Sequence, residues 1–335
     1  MNEKTKLFID KINAVKNIVI VTHHNPDGDA MGTSLAMAEI IRDNFGKSAP
    51  PVIHTGTAPS FLNWLPHRDE WVKNPADVMG GAGLSQTGEG DLGDKVAPPI
   101  FDLAIMIDTS GGNTGAESMA IFNRAADSVK FDHHPVSPDI AKLNFHQHVN
   151  STAQVLLEVI KDAGWRVSID TAVNLYAAIA SDTGGFRWAD DAGPFTAAAE
   201  CVRLGADPRK NDELSNLSNR DNIVENAKII EQAEFLFDGR LAISAVSYAD
   251  YPKLDGKGGH AMDWLRMIDT VECVALLKEQ KPGIVHVSFR SRHMDVNKIA
   301  ASLGGGGHVN ASGARLETDI PTAKQMVIKA FSEAI

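Results

Sequence analysis

Residues 23–29 read His-His-Asn-Pro-Asp-Gly-Asp and follow directly on the β-branched run Asn17-Ile18-Val19-Ile20-Val21. Such a run predicts a buried strand, so ionisable groups crowd where the burial of apolar surface stops. The same juncture recurs at Asp108 (FDLAIMID), at Asp132-His133-His134 (SVKFDHH) and, behind an apolar helix, at Asp182 (IASD). One Asp at a strand end is ordinarily a turn or cap residue, and one His pair is ordinarily surface or core. The whole set, H-x-x-x-D-x-D, then Asp, then D-H-H, then Asp, is more than capping requires. Carboxylates packed together raise one another's pKa unless positive charge sits among them, and only Lys130 and Arg187 accompany these stretches. Divalent metal ions would supply the missing charge. A mixed histidine and carboxylate set suits manganese, iron or zinc better than calcium or magnesium. Two such ions about 3.5–4 Å apart, sharing a carboxylate, clamp the attacking and leaving oxygens in phosphoryl hydrolysis.

Elements must bring these distant residues together. Strand candidates over 17–21, 101–108 and 128–132 alternate with helix candidates at 30–42 (AMGTSLAMAEIIR), from Ser151 (STAQVLLEVIKDAG) and from Thr171 (TAVNLYAAIAS). That alternation predicts βαβ units and a mostly parallel sheet with flanking helices. The carboxyl ends of its strands meet at one edge, where ligands bind. The glycine-rich segment Met79–Pro99 is aperiodic and reads as a surface insertion. From 194 to 239 the pattern turns helical and reads as a connector. RLAISAVS, VECVALLKEQ and GIVHVSFRSR are then strand candidates, and VNKIAASL is a helix running into GGGGH. The expectation is therefore an α/β chain with domains at 1–193 and 240–335, the second the smaller.

The chain has 335 residues, enough for two cores. Its two cysteines, Cys201 and Cys273, match no metal or redox spacing. Neither a signal peptide nor an apolar span is apparent, and the cytoplasm is the expected compartment. A net charge of −11 argues against gripping long nucleic acid, whose affinity comes mainly from counterion release. Any phosphate compound should therefore be a small substrate held by a local site.

HHNPDGDAMG, IDTS, DHHP and SDTGGF, in this order, resemble the four motifs of the DHH phosphoesterase family. FRSRHMDVNKIAASLGGGGHVNASGA resembles the DHH-associated substrate domain with its glycine-rich signature. The resemblance runs from residue 17 to about residue 316 and implies two α/β lobes with the active site in the cleft between them. It implies that His23, Asp27 and Asp108 bind one ion. Asp29, Asp108, His133 and Asp182 would bind a second, with Asp108 bridging. Four carboxylates would then balance two divalent ions. Asp132 would orient a histidine, and His134 would face the substrate phosphate, where it could also give a proton to the leaving oxygen. Gly28 reads as a residue permitting a tight bend between two ligands, and His24 is left without a role.

In the C-terminal part, Gly304–Gly307 can present N–H groups to an anion, and the family uses this region to grip a terminal nucleotide. The expected clamp is Gly305, Gly306, Gly307 and His308 with Arg292, whose guanidinium can bind two oxygens. Arg290 and His293 read equally well as ordinary surface residues. The compact two-domain form resembles the branch that trims very short RNA from an end and dephosphorylates 3′,5′-bisphosphate adenosine (pAp). Cleavage of cyclic or linear di-adenylates is the alternative, and a non-catalytic nucleotide sensor the third reading. The partners expected are short RNA or small nucleotides, without long nucleic acid or membrane, and a homodimer is left open.

Overall fold

The computed structural model describes residues 1–78, 101–254 and 258–335, so the expected insertion at Met79–Pro99 lies outside the described residues. The chain divides into two units, Met1–Leu217 and Ser218–Ile335. No helix among the described residues is long and apolar enough to cross a membrane.

In the first unit, Ile18–Val21 (β1) has the sequence IVIV and is buried along its length, as a strand covered on both faces must be. Val52–Ile53 (β2), Val72–Lys73 (β3), Leu103–Ile107 (β4), Asp127–Asp132 (β5) and Leu143–His146 (β6) complete the sheet. Its order is β3-β2-β1-β4-β5-β6, and its pairings are parallel. The chain winds outward in opposite directions from β1 and β4. Beyond their carboxyl ends, such a reversal opens a crevice. β1 runs into residues 22–29, β4 into Asp108 and neighbouring β5 into His133.

Two helices bring the remaining acids to that edge. Gly28–Phe45 begins inside the first motif and Ile169–Asp182 ends on the last. A Cβ on Gly28 would lie 2.4 Å from Ser181 Oγ, and one on Gly32 2.5 Å from the Asn174 carbonyl oxygen. These glycines let the two helices touch through backbone. This corrects the reading of Gly28 as a bend: it is the first helical residue, and the left-handed position in the loop is Asn25, at φ 53°.

The stretch 194–239 is divided between the units. The helix Gly193–Arg203 puts Ala197, Ala198 and Cys201 into the first core, whereas Arg220–Glu231 packs Ile229 into the second unit. Glu234–Leu236 (β7), Leu241–Val246 (β8), Cys273–Lys281 (β9), Ile284–Ser291 (β10), Gly306–His308 (β11) and Ala311–Leu316 (β12) form a second sheet of order β11-β12-β10-β9-β8-β7. The β8–β9 pairing is parallel and the others antiparallel. β10 alternates in burial along its length. Val285, Val287 and Phe289 pack against Val296 and Ile299 of the Val296–Ser302 helix and Val327 and Phe331 of the Ile320–Ser332 helix. His286, Ser288 and Arg290 take the opposite face.

Candidate metal centre

Asp108 is the hub of the first site. It is buried, and its backbone is held left-handed at φ 57° while its N–H donates to the Phe131 carbonyl at 2.9 Å. A non-glycine residue in that region carries backbone strain, which persists where the surroundings over-determine it. Its two carboxylate oxygens face different partners: Oδ2 lies 3.7 Å from His23 Nε2, and Oδ1 lies 3.5 Å from His133 Nε2. Thr152 Oγ1 donates to Oδ1 at 2.8 Å and fixes the plane of the carboxylate.

Around each face of Asp108 a set of donor atoms converges. His23, Asp27 and Asp108 form one set, and Asp29, His133 and Asp182 another, the ligand atoms of each lying within 4.8 Å of one another. His23 Nε2 is 3.8 Å from Asp27 Oδ1, and His133 Nε2 is 3.2 Å from Asp182 Oδ2. In both histidines Nδ1 meets a backbone carbonyl, that of His24 at 3.0 Å for His23 and that of Val149 at 2.9 Å for His133. A carbonyl only accepts, so Nδ1 carries the proton and Nε2 is the atom turned to the carboxylates. This is how metal-binding histidines are generally fixed.

The acids are fixed as firmly. Asp27 caps the Gly28–Phe45 helix, accepting from the Asp29 and Ala30 N–H groups at 3.1 Å. It is thus both a cap residue and a member of the cluster. Asp29 is fully buried and accepts from Thr33 Oγ1 at 2.9 Å. It also accepts the Thr152 and Ala153 N–H groups, at 2.6 and 3.1 Å, at the start of another helix. Burial first, then the charges of neighbouring carboxylates, push Asp29 and Asp182 well above the usual range. Burial opposes a charged His23 ring, but Asp27 and the charge of Asp108 outweigh it and raise His23 to about 9. The cluster thus draws protons in place of the positive charge it lacks, and its donor set fits two divalent cations.

His134 differs from the other two histidines. Its Nδ1 lies 2.7 Å from Asp132 Oδ1, a carboxylate in place of a carbonyl, and 3.9 Å from Asp108 Oδ1. It is half-buried, with its own carbonyl accepting from His146 Nε2 at 2.8 Å. His24 lies outside the cluster, with Nδ1 2.9 Å from Thr55 Oγ1. Thr152 and Thr33 escaped the sequence reading, because a hydroxyl that holds a carboxylate has no signature of its own. A further group, Glu39, His67 and Asp170, also converges. There Arg42 and Ser168 occupy Glu39 Oε1 at 3.1 and 2.7 Å, and His67 stacks on Trp71.

In the second unit Arg292 is engaged by its own chain. Arg292 Nη2 donates to the carbonyls of Ile268, Asp269 and Val271 at 3.0, 2.6 and 2.7 Å. That guanidinium holds a turn. The depression it lines, about 1060 Å³, carries Asp269, Glu272, Asp295 and Glu333 beside His293 and Lys298. Arg292 as the phosphate fork was the expectation, and in this structure its Nη2 is engaged by its own chain. Arg290 instead lies on the outward face of β10 with His286, which is paired with Lys278 on β9 and Arg315 on β12. Burial, and then the charge of Arg290, lower Lys278 to about 8. Across the same sheet Ser288 pairs with Gly313, and Gly313 with Gly306. The exposed glycine strand therefore borders a basic face. Gly305 and Gly307 also answer a packing need: a Cβ on either would lie 2.0 Å from the Gly313 carbonyl oxygen or 2.7 Å from that of Ala311. His308 ends β11 opposite Ala311.

Comparison with known proteins agrees with this division. Residues 17–180 match the DHH family, N-terminal domain, and residues 245–335 match the DHHA1 domain. The chain is 29% identical over 346 residues to the bifunctional oligoribonuclease and PAP phosphatase NrnA of Thermus thermophilus, across 99% of this chain and 95% of that protein. It is 26% identical over 321 residues to a probable bifunctional oligoribonuclease and PAP phosphatase NrnA of Streptococcus mutans, across 92% of each. Among solved structures, an exopolyphosphatase-related protein from Bacteroides fragilis shares the fold, with a TM-score of 0.83 at 20% identity over 98% of this chain and 96% of that one.

Proposed function

Because this chain belongs to the DHH family and carries a DHHA1 domain, we propose that it is a manganese-dependent phosphoesterase acting on short oligoribonucleotides and on pAp. The observation that supports this most is Asp108, which turns one oxygen to His23 and the other to His133, as a ligand shared by two ions must. His23, Asp27 and Asp108 would hold one ion, and Asp29, Asp108, His133 and Asp182 the second. When bound, the pair supplies Lewis-acid polarisation of a phosphate oxygen and a nucleophile from water at neutral pH. Imidazole joined to carboxylate favours manganese over magnesium.

The remaining groups act on the nucleotide. His134, oriented by Asp132, presents its other nitrogen to the ester and gives a proton to the leaving oxygen. Gly305, Gly306 and Gly307 offer backbone N–H groups to a phosphate, with His308 at the end of their strand. Arg290 and Lys278 supply the local positive charge that an acidic chain otherwise lacks. A site of this kind favours small anions over long polymers.

The test is turnover with Mn²⁺ measured side by side on pAp, a di- to pentanucleotide RNA ladder and cyclic di-AMP. Hydrolysis of pAp and of the short RNAs is expected. No turnover of either would overturn the proposal, and faster turnover of cyclic di-AMP would replace it with the di-adenylate reading.

A further inference from the structure

Between β5 and the loop that follows the two histidines runs a chain of hydrogen bonds whose direction is fixed by chemistry. Lys130 is fully buried in a strand otherwise lined by Val129 and Phe131. Its ammonium lies 2.7 Å from Ser137 Oγ and 2.5 Å from the Pro138 carbonyl oxygen, and 3.8 Å from Asp132 Oδ2. An ammonium has donors only, so Ser137 accepts from Lys130 and directs its own hydrogen to Asp132 Oδ2. Asp132 is also fully buried and accepts the His133 N–H at 3.0 Å. An ionised carboxylate only accepts, so the ring contact at its other oxygen requires the proton to be on His134 Nδ1.

We propose that Lys130 and Ser137 are positioning residues: they lock Asp132 as a one-way acceptor and thereby fix the ring plane and Nδ1–H tautomer of His134. The inference deepens the role given above to His134 and rests on that reading. The contrast among the three histidines carries it. His23 and His133 are tied to neutral carbonyls and turn Nε2 to carboxylates. Of these three, His134 is the one whose Nδ1 meets a carboxylate. That carboxylate is held from behind by a buried lysine and a hydroxyl. Lys130 has no other assigned use, and a buried ammonium is retained only where it is paired and hydrogen-bonded.

The test combines kinetics with a spectroscopic readout. In the Mn²⁺-loaded enzyme acting on pAp, Ser137→Ala and Lys130→Met should each lower kcat about ten-fold or more, within the span of a displaced proton donor. KM and Mn²⁺ affinity should stay within two-fold, and Ser137→Thr, which keeps the hydroxyl, should retain most of the rate. In a His134→Ala background the same substitutions should cost less than two-fold, because residues acting as one unit are not additive. Equal losses in both backgrounds, or a loss of Mn²⁺ affinity that accounts for the drop in rate, would overturn the proposal. Nitrogen NMR of ¹⁵N-histidine-labelled, Mg²⁺-loaded protein needs no turnover. It should show a protonated, hydrogen-bonded His134 Nδ1 that is lost or shifted in Ser137→Ala. An unchanged signal would overturn the positioning role even if the phosphoesterase reading stood, and a changed one would support it even if pAp were no substrate. Ser137→Ala keeps both arms decisive if Lys130→Met does not fold.

Discussion

The candidate metal centre of the first unit and the basic sheet face of the second are built on opposite plans. In the first, the charged groups are largely buried, and each is held by partners already in place: Asp108 by Thr152, Asp29 by Thr33 and two backbone N–H groups, His133 by the Val149 carbonyl. In the second, the candidate clamp is largely backbone. Gly306 and Gly307 are exposed on a short edge strand, and the nearby charges lie on outward positions of β9, β10 and β12. The first plan suits ions, which demand fixed ligand geometry. The second suits a ligand that arrives and leaves, met by exposed backbone beside partly buried charges. Damage to the first should therefore appear in kcat and metal content, and damage to the second in KM.

Removal of the ions should have the largest effect. Chelation is expected to abolish turnover and Mn²⁺ to restore it, which an assay before and after dialysis will check. The loaded protein should also melt higher. A ligand at about 100 times its Kd contributes roughly 2.7 kcal/mol, so a melting temperature indifferent to Mn²⁺ would count against a site preorganised for ions. Next comes Asp108→Ala, which removes the group shared by both sets. Its kcat should fall by roughly 10³-fold or more, on the scale of lost metal catalysis. The chelated variant should melt no lower than the chelated parent, because a buried charge crowding Asp29 and Asp182 has been taken away. A rate within a few-fold of the parent would mean that Asp108 is not the bridge.

A subtler way to probe the first plan leaves every ligand in place. Gly32→Ala drives a methyl against the Asn174 carbonyl and forces apart the helices that carry Asp29 and Asp182. Overpacking of this kind costs roughly 1–3 kcal/mol, and Mn²⁺ affinity should fall with stability. If titration shows Mn²⁺ binding unchanged while the melting temperature drops, the helix contact supports the fold alone.

Which features could be read in the sequence follows from the same contrast. β1 and β4 are continuous apolar runs followed by charge, and β5 keeps Val129 and Phe131 before Asp132, so these strands were legible. β2 and β3 are two residues long and have no pattern to find. The place of Asp182 at the end of its helix was legible, but the helix contact that brings it to Asp29 was not, because glycine signals a bend as readily as a close approach. Arg292 shows the limit most clearly. A guanidinium beside a glycine run looks the same in sequence whether it faces a phosphate or, as here, three carbonyls of its own chain. The hydroxyls of Thr152 and Ser137 depend entirely on what the fold places opposite them.

The smallest expected effects belong to the second plan and separate its two arginines. Arg290→Ala removes a charge from the face that borders Gly306, so KM for pAp and trinucleotides should rise roughly ten-fold, the scale of one charge-assisted hydrogen bond. kcat at saturation should change little, as for lost uniform binding. Arg292→Ala instead frees three carbonyls in the 268–271 turn, and should lower the melting temperature while leaving KM nearly untouched. Should Arg292→Ala raise KM more than Arg290→Ala does, the phosphate contact belongs to Arg292 after all. Salt sharpens the same point. A local grip on two or three phosphates predicts that log KM rises with log salt with a slope of about 1.4–2, from roughly 0.7 per phosphate for single strands. Because the chain as a whole is acidic, lengthening the RNA from three to twenty nucleotides should not steepen that slope. A slope that grows with length would reveal a basic track beyond the sheet face and end the distinction between a local grip and an extended one.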